Sequence, residues 1–156
     1  MLKRILQRCW ASIPGGIRLK IIRSTQKKFT VSVAAIITDS SGRILLLEHL
    51  LRPQRSGWGI PGGFINFGEQ FEDAIRREMR EEVGIELSDA KIVRLRTIGR
   101  HVEVMFRAST DDEPSIGSRE ICSFGWFAVD SMPPEMSEVQ KSLVREILSK
   151  HDKSIV

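Results

Sequence analysis

The sequence predicts an α/β (α+β) domain in which a mixed β-sheet lies between helices. Runs rich in Val, Ile and Thr recur along the chain with turn residues between them. Two other stretches, Phe71–Val83 and Glu138–Ser149, space their apolar residues at three and four instead. Strands and helices segregate unevenly, which suits a mixed sheet. The 156 residues are 41% hydrophobic and 28% charged, enough for one compact soluble domain with its own core. No internal repeat is evident, and no apolar run is long enough to span a bilayer.

The elements follow in chain order. Residues 1–28 form a basic amphipathic arm and residues 29–156 the domain proper. Met1–Ile13 places Leu2, Ile5, Leu6, Cys9, Trp10 and Ile13 on one side of a helix, and Pro14-Gly15-Gly16 ends it. Phe29–Thr38 reads as a strand, Asp39-Ser40-Ser41-Gly42 as a turn and Ile44–Glu48 as the returning strand. Leu50–Gly57 is a loop carrying Arg52 and Arg55. Trp58–Pro61 is a short strand leading through a glycine pair to the helix Phe71–Val83. Two further strands, Lys91–Ile98 and Val102–Ala108, flank Gly99-Arg100. Thr110–Ser118 is a polar loop, Ile121–Val129 another strand, and Pro133-Pro134 breaks the chain. In Glu138–Ser149, Val139, Leu143, Val144, Ile147 and Leu148 recur at helical spacing, as in a core-packing helix.

Charge is distributed unequally. The first 38 residues hold eight Lys or Arg and no Asp or Glu, whereas the remainder holds 16 basic and 20 acidic residues. Four readings of the arm stay open. Its apolar face could pack on its own domain or on a homodimer partner. It could lie on an anionic membrane surface. It could bind an RNA backbone, although no set of stacking aromatics accompanies the charges. It could be an Arg-rich, acid-poor transit peptide. The two cysteines, Cys9 and Cys122, give neither a disulfide framework nor metal-ligand spacing, so a reducing, cytoplasmic setting is expected. Three scattered histidines argue against a zinc site.

The helix Phe71–Val83 carries the chemistry. Glu78, Glu81 and Glu82 share one face, because at about 100° per residue Glu82 lies roughly 40° to one side of Glu78 and Glu81 roughly 60° to the other. Phe71, Ile75, Met79 and Val83 form a neighbouring apolar stripe, with Asp73, Arg76 and Arg80 on the far, solvent side. Three carboxylates at the edge of a buried face repel one another and resist losing water. A hard divalent cation with oxygen ligands resolves that conflict. A solvated acidic face is the alternative that spacing alone leaves open.

The residues around these glutamates resemble the Nudix box. Gly63, Glu69, Arg77, Glu78, Met79, Glu81, Glu82, Gly84 and Ile85 match every position of its pattern G-x5-E-x7-R-E-U-x-E-E-x-G-U, where U is aliphatic. Seven of those positions demand a single residue type, so the match is specific. With Trp58-Gly59-Ile60-Pro61-Gly62 before the box, and Glu120-Ile121 and Trp126-Phe127 after it, the resemblance runs from about Phe29 to Pro134.

The resemblance implies an α/β/α sandwich and a hydrolase that cleaves a diphosphate linked to another group X, typically a nucleoside diphosphate derivative. It implies Mg²⁺, with Mn²⁺ as a substitute, held by Glu78 and Glu82, and Glu81 as a ligand or a base acting through water. Arg77 would pair with Glu69 and orient the helix. Gly62 and Gly63 would let the backbone approach the metal or the phosphates, and Gly84 would end the helix as a left-handed cap. The general base would come from the box or from a later loop, where Glu120 is the candidate. Arg52 and Arg55, and Arg100 beside them, are candidates for phosphate contact. Trp58, Phe64 and Phe67 could stack on a base, with core packing the alternative. The SQPWPFPxS array of NADH pyrophosphatases is absent, and so is any tyrosine. The other class of function is a Nudix domain that has lost catalysis and serves as a nucleotide-binding or regulatory module. Such domains show erosion at the box glutamates, and none is eroded here.

Overall fold

A computed structural model describes residues 2–50 and 57–152. Its elements are α1 (Leu2–Ser12), α2 (Gly15–Thr25), β1 (Thr30–Thr38), β2 (Ile44–His49), β3 (Trp58–Gly59), β4 (Gly62–Phe64), α3 (Phe71–Val83), β5 (Ser88–Ile98), β6 (His101–Ser109), β7 (Ile121–Phe127) and α4 (Glu138–Asp152), with a 3₁₀ turn at Val129–Ser131. The loop Leu50–Gly57 falls largely outside the described residues, and Arg52 and Arg55 with it.

The seven strands form one mixed sheet with a main path β3-β2-β1-β6-β5. β1 runs parallel to β6 over its full length, from Thr30 beside His101 to Thr38 beside Ser109, and every other pairing is antiparallel. β1 and β2 share only the Thr38–Ile44 pair at their turn. Beyond it they diverge, and β4 pairs with β1 while β3 and β7 pair with β2. That split brings the glycine pair beside β1.

Period-two alternation assigns the two faces of the sheet. Val33, Ala35, Ile37, Leu45, Leu47, Val104 and Phe106 face Ile75, Met79 and Val83 of α3. Ile36, Ile44, Leu46, Ile60 and Met105 face Leu143, Val144 and Ile147 of α4. The sheet is thus sandwiched between α3 and α4, as expected. Burying an aliphatic side chain of this size contributes about 1.5–3 kcal/mol, so each helix is held chiefly by its few core residues.

Several side chains depart from the expected pattern. Val139 opens the apolar series of α4 but is 69% exposed, beside Arg94 and Arg96 of β5 in an open surface pocket. Lys141 is buried instead, and its Nζ donates to the Pro134 carbonyl and to Glu138. Phe71, at the start of the α3 stripe, is also exposed. Arg76 is half-buried, since its guanidinium bridges Glu72 and the Leu87 carbonyl rather than pointing into water.

The arm holds a second helix, α2, where the sequence reading placed only a break. Pro14 stands at its N-cap with extended ψ, and its carbonyl accepts from Ile17 and Arg18. Two glycines in a first turn do not stop a helix that is started this way. Packing of the arm on its own domain is not what forms: Ile5, Leu6 and Trp10 of α1 are exposed, and no residue of α2 is buried. No helix among the described residues is long and apolar enough to cross a membrane.

Candidate active site

α3 is positioned from both ends. Its C-terminus closes at Gly84, whose φ of 68° is the left-handed conformation that glycine adopts without a Cβ clash. The Gly84 and Ile85 N–H groups then donate back to the Arg80 and Met79 carbonyls. The following loop returns to the same end, where the Ser115 and Gly117 N–H groups donate to the Val83 and Glu82 carbonyls. Ile75, Met79 and Val83 are fully buried, which fixes the rotation of the helix and so the direction of its glutamates.

The three glutamates differ in burial as their wheel positions require. Glu82 is 7% exposed, the Glu78 side chain 14% and the Glu81 side chain 60%. Glu78 reaches β4. A Cβ added to Gly63 would collide with its carboxylate carbon and both of its oxygens, so only a glycine leaves room there. Gly62 is constrained differently. Its φ is +147°, and an added Cβ would meet the Val33 carbonyl and the Ala34 Cα, which are backbone atoms of β1.

These contrasts give a paired prediction. Gly63→Ala should leave the fold intact, because a flexible carboxylate can swing aside, but should cut turnover sharply by displacing Glu78. Gly62→Ala should lower the melting temperature, because neither the sheet backbone nor the φ can yield cheaply. Thermal melts and initial rates on the two variants check both halves. A Gly63→Ala protein as active as the parent would remove Glu78 from the site.

Arg77 joins the box together. Its Nε and one Nη grip the two Glu69 oxygens at 2.8 and 3.0 Å, a bidentate pair. The same Nη donates to the Phe64 carbonyl at 3.0 Å, and the other Nη donates to Glu78 at 2.8 Å and Glu81 at 3.1 Å. Glu69 also accepts the Asn66 N–H at 2.8 Å. The Arg77 guanidinium, with help from Asn66, pulls the Glu69 carboxyl down from 4.5 to about 2. The three carboxylates around Arg77 in turn raise its own pKa. One residue thereby ties the loop after β4, the strand itself and two of the helix glutamates.

Glu78, Glu81 and Glu82 offer only hard carboxylate oxygens, of the kind Mg²⁺ accepts, and Glu78 stands in a cradle that a Cβ would fill. Among the described residues no three such groups converge on one point. Arg77 acts as counter-charge to Glu78 and Glu81. The residues therefore fit a hard cation in kind.

Glu120 is exposed at the edge of the same region. Two residues separate it from Gly117, whose N–H is bonded to the Glu82 carbonyl, so its Cα lies within about 11 Å of that glycine. Its carbonyl accepts the Leu50 N–H, immediately before the segment that carries Arg52 and Arg55. Arg100 is exposed in the β5–β6 turn.

Beside the glycine pair, on the α4 face of the sheet, lies a cavity of about 190 Å³ lined by Ser32, Ala34, Gly62, Gly63, Phe64, Arg96, Glu103, Gln140 and others. Arg96 and Glu103 are ion-paired at 2.6 Å. The sequence reading missed this wall because its residues come from β1, β5, β6 and α4. One signal was present: Glu103 interrupts the apolar run of β6 at a position facing the α4 side. Phe64 is 64% exposed at the cavity mouth and Phe67 is fully exposed, so neither packs in the core. Trp58 does pack, edge-on to Phe127 at 5.3 Å between ring centres.

A family model described as the NUDIX domain matches residues 28–147, most of the chain. The chain belongs to the Nudix hydrolase family. This Nudix protein is therefore a member of a class of enzymes acting on phosphorus-containing anhydrides, which generally use divalent metal cations. It is 30% identical over 112 residues to a MutT-like protein of Streptomyces ambofaciens, covering 70% of this chain and 71% of the relative. A MutT NUDIX hydrolase of Burkholderia pseudomallei has a similar structure, with TM-score 0.66 and 30% identity, covering 76% of this chain and 98% of the other. An NAD-capped RNA hydrolase NudC of Mycobacterium tuberculosis is 30% identical over 105 residues, or 65% of this chain. The Nudix chain spans only 33% of that relative's length.

Proposed function

We propose that this chain is an Mg²⁺-dependent Nudix hydrolase that cleaves the diphosphate bond of a nucleoside diphosphate derivative or a related nucleotide. The observation that carries the reading is the graded acidic edge of α3, with Glu82 buried and Glu78 set against Gly63, where a Cβ would displace it. Both carboxylates stand where lost hydration costs free energy, and a bound cation would offset that cost. Glu78 and Glu82 would hold the cation, with Glu81 beside them. The cation would supply neutralisation of phosphate charge and a lowered pKa for an attacking water. Arg77 and Glu69 hold the helix edge in register with β4. The open backbone at Gly62 and Gly63 gives a phosphate close access. Phe64 supplies an exposed ring at the mouth of the cavity where a base can stack, and Arg52 and Arg55 are kept as phosphate contacts. A cytoplasmic setting belongs to the same reading, as both cysteines are free and exposed.

The test is a Mg²⁺-dependent hydrolysis panel of nucleotide sugars, ADP-ribose, dinucleoside polyphosphates, nucleoside triphosphates, and NAD-capped and 5′-triphosphate RNA. Mn²⁺ serves as the second metal. Turnover of at least one member, abolished by chelation, supports the reading. Tight nucleotide binding without turnover of any member would favour a non-catalytic module.

Glu120 is the proposed general base. Glu120→Gln should lower turnover by about 10²- to 10⁴-fold while melting like the parent, since its side chain is exposed. An unchanged rate at saturating Mg²⁺ would move the role to Glu81.

A further inference from the structure

The two N-terminal helices leave exposed apolar side chains among charges that are all basic, on one face of α1 and on all sides of α2, where Leu19 is exposed too. Ile5, Leu6 and Trp10 of α1 and Ile17, Ile21 and Ile22 of α2 are between 40% and 60% exposed. On α1, Ile5, Leu6, Cys9 and Trp10 fall within an arc of about 140°. Lys3 borders that arc beyond Trp10, Arg8 borders it beyond Ile5, and Arg4 lies opposite. Long basic side chains at the rim of an apolar stripe can bury their stems while their charges reach outward. α2 adds Lys20 and Arg23, both exposed, with Arg18 half-buried beside them. Residues 1–38 contain no acidic residue, so the surface carries one sign of charge only.

We propose that α1 and α2 dock the protein on an anionic lipid surface, with α1 lying in the plane of the interface. Charge complementarity selects this occupant. Face to face, a second copy of these helices would bring six like charges against six more, which opposes closure. RNA would meet the charges but leave Ile5, Leu6 and the isoleucines of α2 in water. It would also find Trp10 as the sole aromatic in residues 1–28. A bilayer with anionic headgroups satisfies both features at once: apolar side chains enter the acyl boundary and basic ones meet the headgroups. Residues 39–156 carry more acidic than basic residues, so the arm and not the domain is drawn to such a surface. The inference is independent of which nucleotide is hydrolysed.

The test is co-sedimentation of the full chain with phosphatidylcholine vesicles and with vesicles containing phosphatidylglycerol. Binding is expected only to the latter, weakening as salt is raised. Reversing Lys3, Arg4 and Arg8 to glutamate should reduce it by at least about a hundredfold, from roughly fivefold per charge. Leu6→Asp combined with Trp10→Asp should also abolish it, and emission from Trp10 should be quenched by brominated lipid in the parent. Both variants should hydrolyse a small soluble substrate at the parent rate. Four results would each overturn the proposal. These are undiminished vesicle binding by either variant, tighter binding to single-stranded RNA than to vesicles, a parent dimer on gel filtration that the Leu6→Asp, Trp10→Asp protein does not form, and loss of turnover on the soluble substrate.

Discussion

Replacing Glu82 by glutamine is expected to lower turnover by about a thousandfold and to leave the protein at least as stable as the parent when Mg²⁺ is absent. The two halves come from one fact. Glu82 is 7% exposed at the inner edge of α3, next to the fully buried Met79 and Val83. A carboxylate there loses hydration that an amide of the same shape would lose at smaller cost. The substitution therefore lowers the desolvation cost of the edge and its repulsion with the neighbouring Glu78 when no cation is bound. With a cation bound the balance reverses, because the amide no longer offers the charge that holds it, and Lewis-acid assistance of several kcal/mol amounts to about three decades in rate. A melting experiment separates the two states without any substrate. Mg²⁺ should raise the melting temperature of the parent by mass action and leave the Glu82→Gln protein unmoved. Glu78→Gln should show the same loss of turnover with a small loss of stability, since Glu78 also accepts from Arg77 at 2.8 Å. A Glu82→Gln enzyme with parent turnover, or one that Mg²⁺ still stabilises, would refute its assignment as a ligand.

The helix that carries these residues was legible in the sequence to its end residues. Its apolar stripe, its glycine cap and the fixed spacing of the box are all local, and local spacing is what a sequence displays. Most strand positions were legible for the same reason, through alternation and turn residues, but β4 was not, because its glycine pair reads as a turn. The pairing was not. β1 lies parallel to β6 across some seventy residues of chain, and β4 takes the place beside β1 that a simple hairpin would give to β2. Those choices are made by the two packed faces together, with α3 on one and α4 on the other. The side-chain misreadings have the same origin. Phe64 and Phe67 look like core residues by composition, yet Phe64 ends β4 edge-on to His101 and Phe67 lies in the turn that follows, both exposed. Val139 has the right spacing for the core but lies against the charged side chains of Arg94 and Arg96 rather than apolar ones. The cavity wall of Ser32, Arg96, Glu103 and Gln140 was invisible because four elements contribute to it.

The Arg77 network combines both kinds of information, and its removal is the second large effect expected. The sequence pairs Arg77 with Glu69. The structure adds Glu78, Glu81 and the Phe64 carbonyl to the same guanidinium. Arg77→Ala should lower the melting temperature by several degrees and turnover by about 10- to 100-fold, the range for a residue that orients ligands without being one. Lysine should not rescue it, since a point charge cannot make the bidentate grip on Glu69. A double-mutant cycle with Glu69→Ala should show strong coupling, because each single change strands a partly buried partner. The pH dependence gives an independent check. The folded Glu69 carboxyl titrates at about 2 rather than 4.5, with Arg77 as the main cause. A depressed carboxylate stabilises the fold above its unfolded pKa and loses that contribution as pH falls towards the folded value. The melting-temperature gap between parent and Arg77→Ala should therefore be widest above pH 4.5 and narrow as the pH approaches 2. A gap that stays constant across that window, together with additive single-mutant effects, would mean that Arg77 does not act through Glu69.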